Sequence, residues 1–317
     1  MLLAKFKTML LAGLAGALAA TLAIPGTASA ADLPVVWGMG PFIDSSLNAK
    51  PPYDPPGGND WTCKPTAAHP LPVVLVHGAF GNGENSWQAV SPLLKNEGHC
   101  VFALSYGTYP GDSGLLGGVG GRIPIMDSVP ELARFVDQVL AATGAPKVKL
   151  LTWSEGTLVS AAYIQFLGGD QTVDAQVSLA PIWKGTHVAQ SLVNTVNALG
   201  IYNSVYTAMN PPCAACADLL AGSAFIDKLQ ASGVYSDKVR YYSVLTETDG
   251  QVVPYTQGLK DAPNATNVIL QHGCSEDLTG HLFLTSDPRA VHLAVQGLDP
   301  ELPRTIPCAP NATPAGI

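Results

Sequence analysis

The chain has 317 residues, a formal net charge of −8 and no cluster of Lys or Arg along its length. Nucleic-acid binding is excluded on that ground, because it rests on basic side chains neutralising phosphates. With 13% of residues charged and 47% hydrophobic, the composition excludes a disordered chain and suits a globular one with a full-sized core.

In chain order, Lys5 and Lys7 precede an apolar run from Met9 to Ile24 and the small-residue ending Ala28-Ser29-Ala30. That layout is an export signal cut after Ala30, so residues 1–30 are expected to be a signal peptide, residues 31–317 a single domain, and the protein secreted and extracellular. The apolar run is short for a spanning helix, and no later segment offers a longer one. No stable membrane span is therefore expected. Six cysteines follow, Cys63, Cys100, Cys213, Cys216, Cys274 and Cys308. An even set in an exported chain predicts disulfides; spacing leaves the connectivity open, with pairing of nearest neighbours as the expectation. Cys213-Ala214-Ala215-Cys216 has the spacing of a redox pair, but Pro211-Pro212 precede it where such a motif needs a strand running into a helix. A clamped loop is expected there.

From Leu71 onward, short β-branched runs alternate with stretches of helical period, which predicts a mostly parallel sheet with helices on both faces. Strands are expected from Val73 to His77, Val101 to Leu104, Val148 to Thr152, Ala175 to Leu179, Val239 to Leu245 and Val268 to Leu270. Helices are expected from Trp87 to Asn96, Val129 to Thr143, Gly156 to Leu167 and Pro288 to Gly297. Two stretches break the alternation: 106–125, crowded with glycine, and 181–235, a long apolar insertion with Pro and Cys. Insertions of this kind shape substrate entrances, so the second is read as cap-like. The Pro-rich stretches 51–56 and 303–314 are read as terminal arms held by disulfides.

Leu150-Leu151-Thr152-Trp153-Ser154-Glu155-Gly156-Thr157 joins a strand to a helix through a serine, the setting of a nucleophile elbow. A sharp turn there lifts the hydroxyl clear of the sheet, and small residues on either side let strand and helix approach. Gly156 meets that demand, whereas Thr152 stands where glycine is usual. A serine hydroxyl needs a base to take its proton and an acid to orient the base, in the chain order Ser, acid, His. Asp249, in the loop after the strand ending at Leu245, is the expected acid, with Glu247 the competitor. His281, in a loop after the last strand, is the expected base, ahead of His272 at the strand's end and His292 inside a helix. The oxyanion donors are expected from the backbone N–H groups of Glu155 and Ala79, the latter in the turn His77-Gly78-Ala79-Phe80-Gly81. His77 itself is read as structural. No motif implies a metal or an organic cofactor. Thr66-Ala67-Ala68-His69 and Gly111-Asp112-Ser113-Gly114 have the look of trypsin-like motifs, but they lie too close together for two barrels and sit in an alternating α/β chain.

Val74-Leu75-Val76-His77-Gly78, the Ser154 turn, the block from Leu179 to Thr186, Ala221-Gly222-Ser223-Ala224-Phe225 and Asp277-Leu278-Thr279-Gly280-His281 occur in that order. Together they resemble the secreted actinobacterial class 2 lipases, and Thr152-Trp153-Ser154 is similar to lipases of the Candida antarctica lipase B type. The resemblance implies an α/β-hydrolase fold, triacylglycerol lipase-like hydrolysis of lipid esters, and the triad Ser154, Asp249 and His281. It also implies the donors Ala79 and Glu155 and the pairs Cys63–Cys100, Cys213–Cys216 and Cys274–Cys308. Trp153 would border the pocket for the alcohol part of the ester, with Ile182 beside it where the lipase B type carries Asp. Glu155 stands where the family carries Gln, and Ala79 where relatives carry Thr. The same triad would serve a short-chain or cutinase-like polyester esterase, and a silent triad would leave a lipid-binding module.

Overall fold

The computed structural model describes residues 31–114, 116–188 and 213–311. The expected export segment and the middle of the second insertion, residues 189–212, lie outside the described residues.

Six strands, β1 (Val73–Val76), β2 (Val101–Leu104), β3 (Val148–Trp153), β4 (Val173–Leu179), β5 (Arg240–Leu245) and β6 (Ala265–Ile269), form one sheet in the order β2-β1-β3-β4-β5-β6. Every described pairing is parallel. Strands buried on both faces need apolar residues at every position rather than at alternate ones. Val73-Val74-Leu75-Val76 meets that requirement, with all four residues fully buried.

The helices are α1 (Met39–Asn48), α2 (Val90–Asn96), α3 (Ile125–Thr143), α4 (Glu155–Phe166), α5 (Ala215–Asp218), α6 (Ala224–Ala231) and α7 (Pro288–Leu298). Register shows that they lie on both faces. Neighbours in register point to the same side of a parallel sheet and successive residues to opposite sides. Gln176, paired with Tyr241, donates to the Thr157 carbonyl of α4 at 2.9 Å. The next pair is Val177 and Tyr242, and a Cβ added at Gly297 of α7 would lie 2.6 Å from the Tyr242 ring. So α4 and α7 cover opposite faces, and Gly297 is required by the close approach of helix to sheet.

The disulfides join Cys63 to Cys100, Cys213 to Cys216 and Cys274 to Cys308. The first and third close loops of 37 and 34 residues, each contributing about 4 kcal/mol through loop-closure entropy. They tie the segment before β1 and the C-terminal arm to the body.

Several expected boundaries shift. Helix α3 starts at Ile125 rather than Val129, because the Ile125 N–H donates to the Asp218 carboxylate at 3.0 Å, a cap supplied from the far insertion. Strand β6 begins three residues before the expected Val268. Helices α1, α5 and α6 were not expected at all. Helix α6 is opened by Ser223, whose hydroxyl accepts the Ile226 N–H at 3.2 Å, an ordinary N-cap.

Candidate active site

The turn after β3 is strained. Ser154 has φ 53° and ψ −123°, a left-handed conformation that non-glycine residues adopt only where surrounding contacts impose it. Those contacts are visible. The Ser154 N–H donates to the Leu179 carbonyl at 3.0 Å, and the Thr157 hydroxyl donates to the Ser154 carbonyl at 2.6 Å. A Cβ at Gly156 would lie 2.3 Å from the Val76 carbonyl oxygen, so only glycine lets α4 begin this close to β1. Thr152 is accommodated differently: its buried hydroxyl donates to the Val177 carbonyl at 3.1 Å on the neighbouring strand, which satisfies the extra polar atom.

His281 Nε2 lies 2.8 Å from the Ser154 hydroxyl, and His281 Nδ1 lies 2.9 Å from Asp249 Oδ2. The other carboxylate oxygen, Oδ1, accepts the N–H groups of Gln251 and Val252 at 2.8 and 2.7 Å, which fixes the carboxylate's rotation. The His281 carbonyl accepts the Trp153 indole N–H at 3.2 Å, tying the histidine loop to the elbow. Both the His281 and Asp249 side chains are buried. The three residues therefore form one continuous hydrogen-bonded chain. The competitors do not reach it: Glu247 pairs with His272 on the surface at 3.6 Å, and His292 lies beside Arg304 at 3.1 Å.

Ala79 lines the same cleft as Ser154. A Cβ at Gly78 would lie 2.9 Å from the Ser154 Cβ and 3.4 Å from its hydroxyl oxygen, so glycine there keeps space beside the serine. Glu155 is the first residue of α4 after its cap. Its N–H belongs to the first turn, where helix geometry leaves donors without intrahelical acceptors. The turn carrying Ala79 is braced from beneath by the glycine-crowded loop: the Phe80 N–H donates to the Gly120 carbonyl at 2.9 Å, and the Gly120 N–H to the Gly81 carbonyl at 2.8 Å. Gly121, at φ 61°, leaves no room for a Cβ against the Ala79 Cα, which would lie 2.9 Å away. Sequence reasoning left open whether this loop mattered, and the run Gly117-Gly118-Val119-Gly120-Gly121 was the available signal.

The Glu155 side chain turns into the interior and is fully buried. Burial pushes its carboxyl well above the usual range, and Asp218 pushes the same way, against a hydrogen bond with Tyr106 that pulls down. Tyr106 has one hydroxyl proton and two acceptors in reach, the His77 carbonyl at 2.8 Å and Glu155 Oε1 at 3.3 Å. The shorter contact is the one to His77, so the Glu155 carboxyl gains little from Tyr106, and its raised pKa favours the protonated form. In that form it places no negative charge beside Ser154. His77 is structural as expected: Tyr106 N–H donates to its Nε2 at 3.2 Å, its ring stacks on Tyr106, and burial lowers its pKa to about 4, keeping it neutral.

A cleft of about 200 Å³ opens over the serine, lined by Ala79, Trp153, Ile182, Thr186, Leu219 and Leu282. Trp153 and Ile182 thus both border it. The described end of the insertion forms one wall, held by the Thr186 N–H to the Leu219 carbonyl at 2.8 Å and the Ala221 N–H to the Thr186 carbonyl at 3.0 Å.

A family model described as lipase (class 2) matches residues 70–290. The chain is 35% identical over 99 residues to a triacylglycerol lipase of Pseudarthrobacter phenanthrenivorans, covering 30% of this chain and 28% of that protein. It is 35% identical over 99 residues to a triacylglycerol lipase of Burkholderia plantarii, covering 30% of this chain and 25% of that one. The chain thus spans about a quarter of these relatives' length. Among solved structures it is similar to Aspergillus fumigatus lipase B, with TM-score 0.58, 16% identity, and coverage of 77% of this chain and 55% of that chain. Bacillus licheniformis lipase BlEst2 in its mature form follows with TM-score 0.50, 15% identity, and coverage of 70% and 89%. At these identities the likeness concerns the fold, that of the α/β-hydrolases.

Proposed function

The chain belongs to the class 2 lipase family, and from that premise we propose that it is a secreted serine hydrolase that cleaves carboxylic esters of lipids through Ser154, His281 and Asp249. The observation that carries the reading is the unbroken chain from the Ser154 hydroxyl through both His281 nitrogens to a carboxylate pinned by two backbone N–H groups. His281 takes the serine proton as the hydroxyl attacks the ester carbonyl, and Asp249 stabilises the imidazolium. The N–H groups of Ala79 and Glu155 receive the oxyanion, whose electrostatic stabilisation is the largest single contribution in this chemistry. His281 then protonates the leaving alcohol, and water activated by the same ring releases the acid from the acyl-enzyme. With burial raising its pKa, Glu155 favours the neutral form, in which its side chain does not oppose the oxyanion charge. Trp153 and Ile182 limit the space for the alcohol part.

Export is supported by the N-terminal pattern and by three disulfides, which persist in oxidising compartments. The exposed apolar side chains of Phe80 and Val188, on residues that line the cleft, suit transient contact with a lipid interface. Nitrophenyl esters of increasing acyl length, assayed beside emulsified triolein, test the substrate class. Hydrolysis of triolein is expected; activity confined to short soluble esters would make this an esterase and overturn the lipase assignment.

A further inference from the structure

His69, one of the residues set aside with the trypsin-like motif, belongs to a cluster remote from Ser154. His69 sits in the loop before β1, His99 in the turn between α2 and β2, and Asp299 just after α7. They converge at the edge of the sheet where the strands begin, roughly 17 Å along β3 from the serine. His69 Nδ1 lies 3.4 Å and His99 Nε2 3.3 Å from the same oxygen, Asp299 Oδ2. None of these three atoms makes a hydrogen bond, although the His99 side chain is 99% buried and Asp299 mostly so. The two contacts reach ion-pair distance without hydrogen-bond geometry, and poorly satisfied buried polar atoms are costly, so such a convergence favours an occupant.

We infer that His69 Nδ1, His99 Nε2 and Asp299 Oδ2 form a zinc site that ties the C-terminal segment to the base of the sheet. Two imidazoles and a carboxylate are a ligand set suited to zinc, with water at the fourth corner. In a tetrahedron with metal–ligand bonds of about 2.0–2.1 Å, ligand atoms stand about 3.3–3.4 Å apart, and two of the three separations already match. All three ligand atoms lie within 4.8 Å of one another. The backbones are held in advance: His99 N–H donates to the Leu94 carbonyl, Asp299 N–H to the Val295 carbonyl, and the His69 carbonyl accepts the Thr66 N–H. Lys149 Nζ grips the other carboxylate oxygen, Oδ1, at 2.5 Å, orienting Oδ2 toward the two rings. Its charge opposes the ion and so weakens its affinity. Entry also requires one movement. The imidazole centroids lie 3.7 Å apart, whereas two ligands of a tetrahedral ion hold them about 5 Å apart. His69, on a surface loop, supplies that opening.

The test is calorimetric titration of zinc chloride into untagged, metal-stripped protein with its disulfides intact, paired with melting curves. One equivalent binding at micromolar or lower Kd is expected, with a Tm raised by a few degrees. His69→Gln, a loop substitution that leaves the core untouched, should weaken binding at least tenfold while circular dichroism stays unchanged, and His272→Gln should leave binding as it was. Absence of saturable binding, binding that survives His69→Gln, or binding lost only in His281→Ala would each overturn the assignment.

Discussion

Histidine and aspartate meet at both ends of the sheet, with opposite wiring. At the end where the strands finish, His281 uses each ring nitrogen for a different partner, Ser154 and Asp249. At the end where they start, His69 and His99 aim nitrogens at one oxygen of Asp299 with no hydrogen bond between them. The first arrangement is a line of hydrogen bonds suited to proton transfer; the second brings three side-chain atoms around a point. The difference teaches that residue type alone does not distinguish a relay from a ligand set. The decisive feature is whether each polar atom has its own partner.

Substitutions at the relay break the comparison most strongly. Ser154→Ala should lower kcat on a nitrophenyl ester by on the order of 10⁴ to 10⁶, while leaving zinc binding at the opposite end untouched. Asp249→Asn should cost about 10⁴ in kcat, because the amide presents the wrong group to His281 Nδ1. Gly78→Ala comes next. Its methyl would crowd Ser154 at 2.9 Å, and displacing one side of the oxyanion turn should cost about a hundredfold with unchanged far-ultraviolet circular dichroism.

Glu155→Gln gives the smallest effect on rate and a distinct one on stability. Turnover should hold or rise, because burial already favours the neutral form of the wild-type side chain beside Ser154. The linkage has a definite sign. Burial holds the folded pKa well above the usual 4.5, so the folded chain keeps a proton that the unfolded chain releases as pH rises past that value. Stability is therefore lost as pH climbs from about 4.5. Glutamine removes that loss, so the variant's Tm gain should be larger at pH 8 than at pH 4; equal gains would place a charged glutamate in the fold.

Much of the relay was legible because it depends on chain order and local turns. Ser154, Asp249 and His281 each follow a strand whose apolar, β-branched pattern is local, and all six strands appear where that pattern indicates, with ends displaced by up to three residues at β6. Features set by distant parts of the chain were not legible. The start of α3 depends on Asp218 from the insertion, and Pro130, tolerated in the helix's first turns, gave no sign of it. Helix α1 lacks a capping side chain, so no local signal marked its start. The Glu155–Tyr106–His77 linkage joins residues 49 and 29 positions apart, and only the fold reveals that the carboxyl is buried with its pKa raised. The Asp299 cluster spans still longer separations, and His69 by itself pointed to a different chemistry.

The central claim is that Ser154 is the nucleophile activated by His281. Treating the folded protein with a fluorophosphonate and locating the adduct by mass spectrometry tests it most directly. The account predicts one adduct, on the peptide carrying Ser154, formed slowly or not at all in His281→Ala. An unlabelled folded protein, or an adduct on another serine, would contradict it.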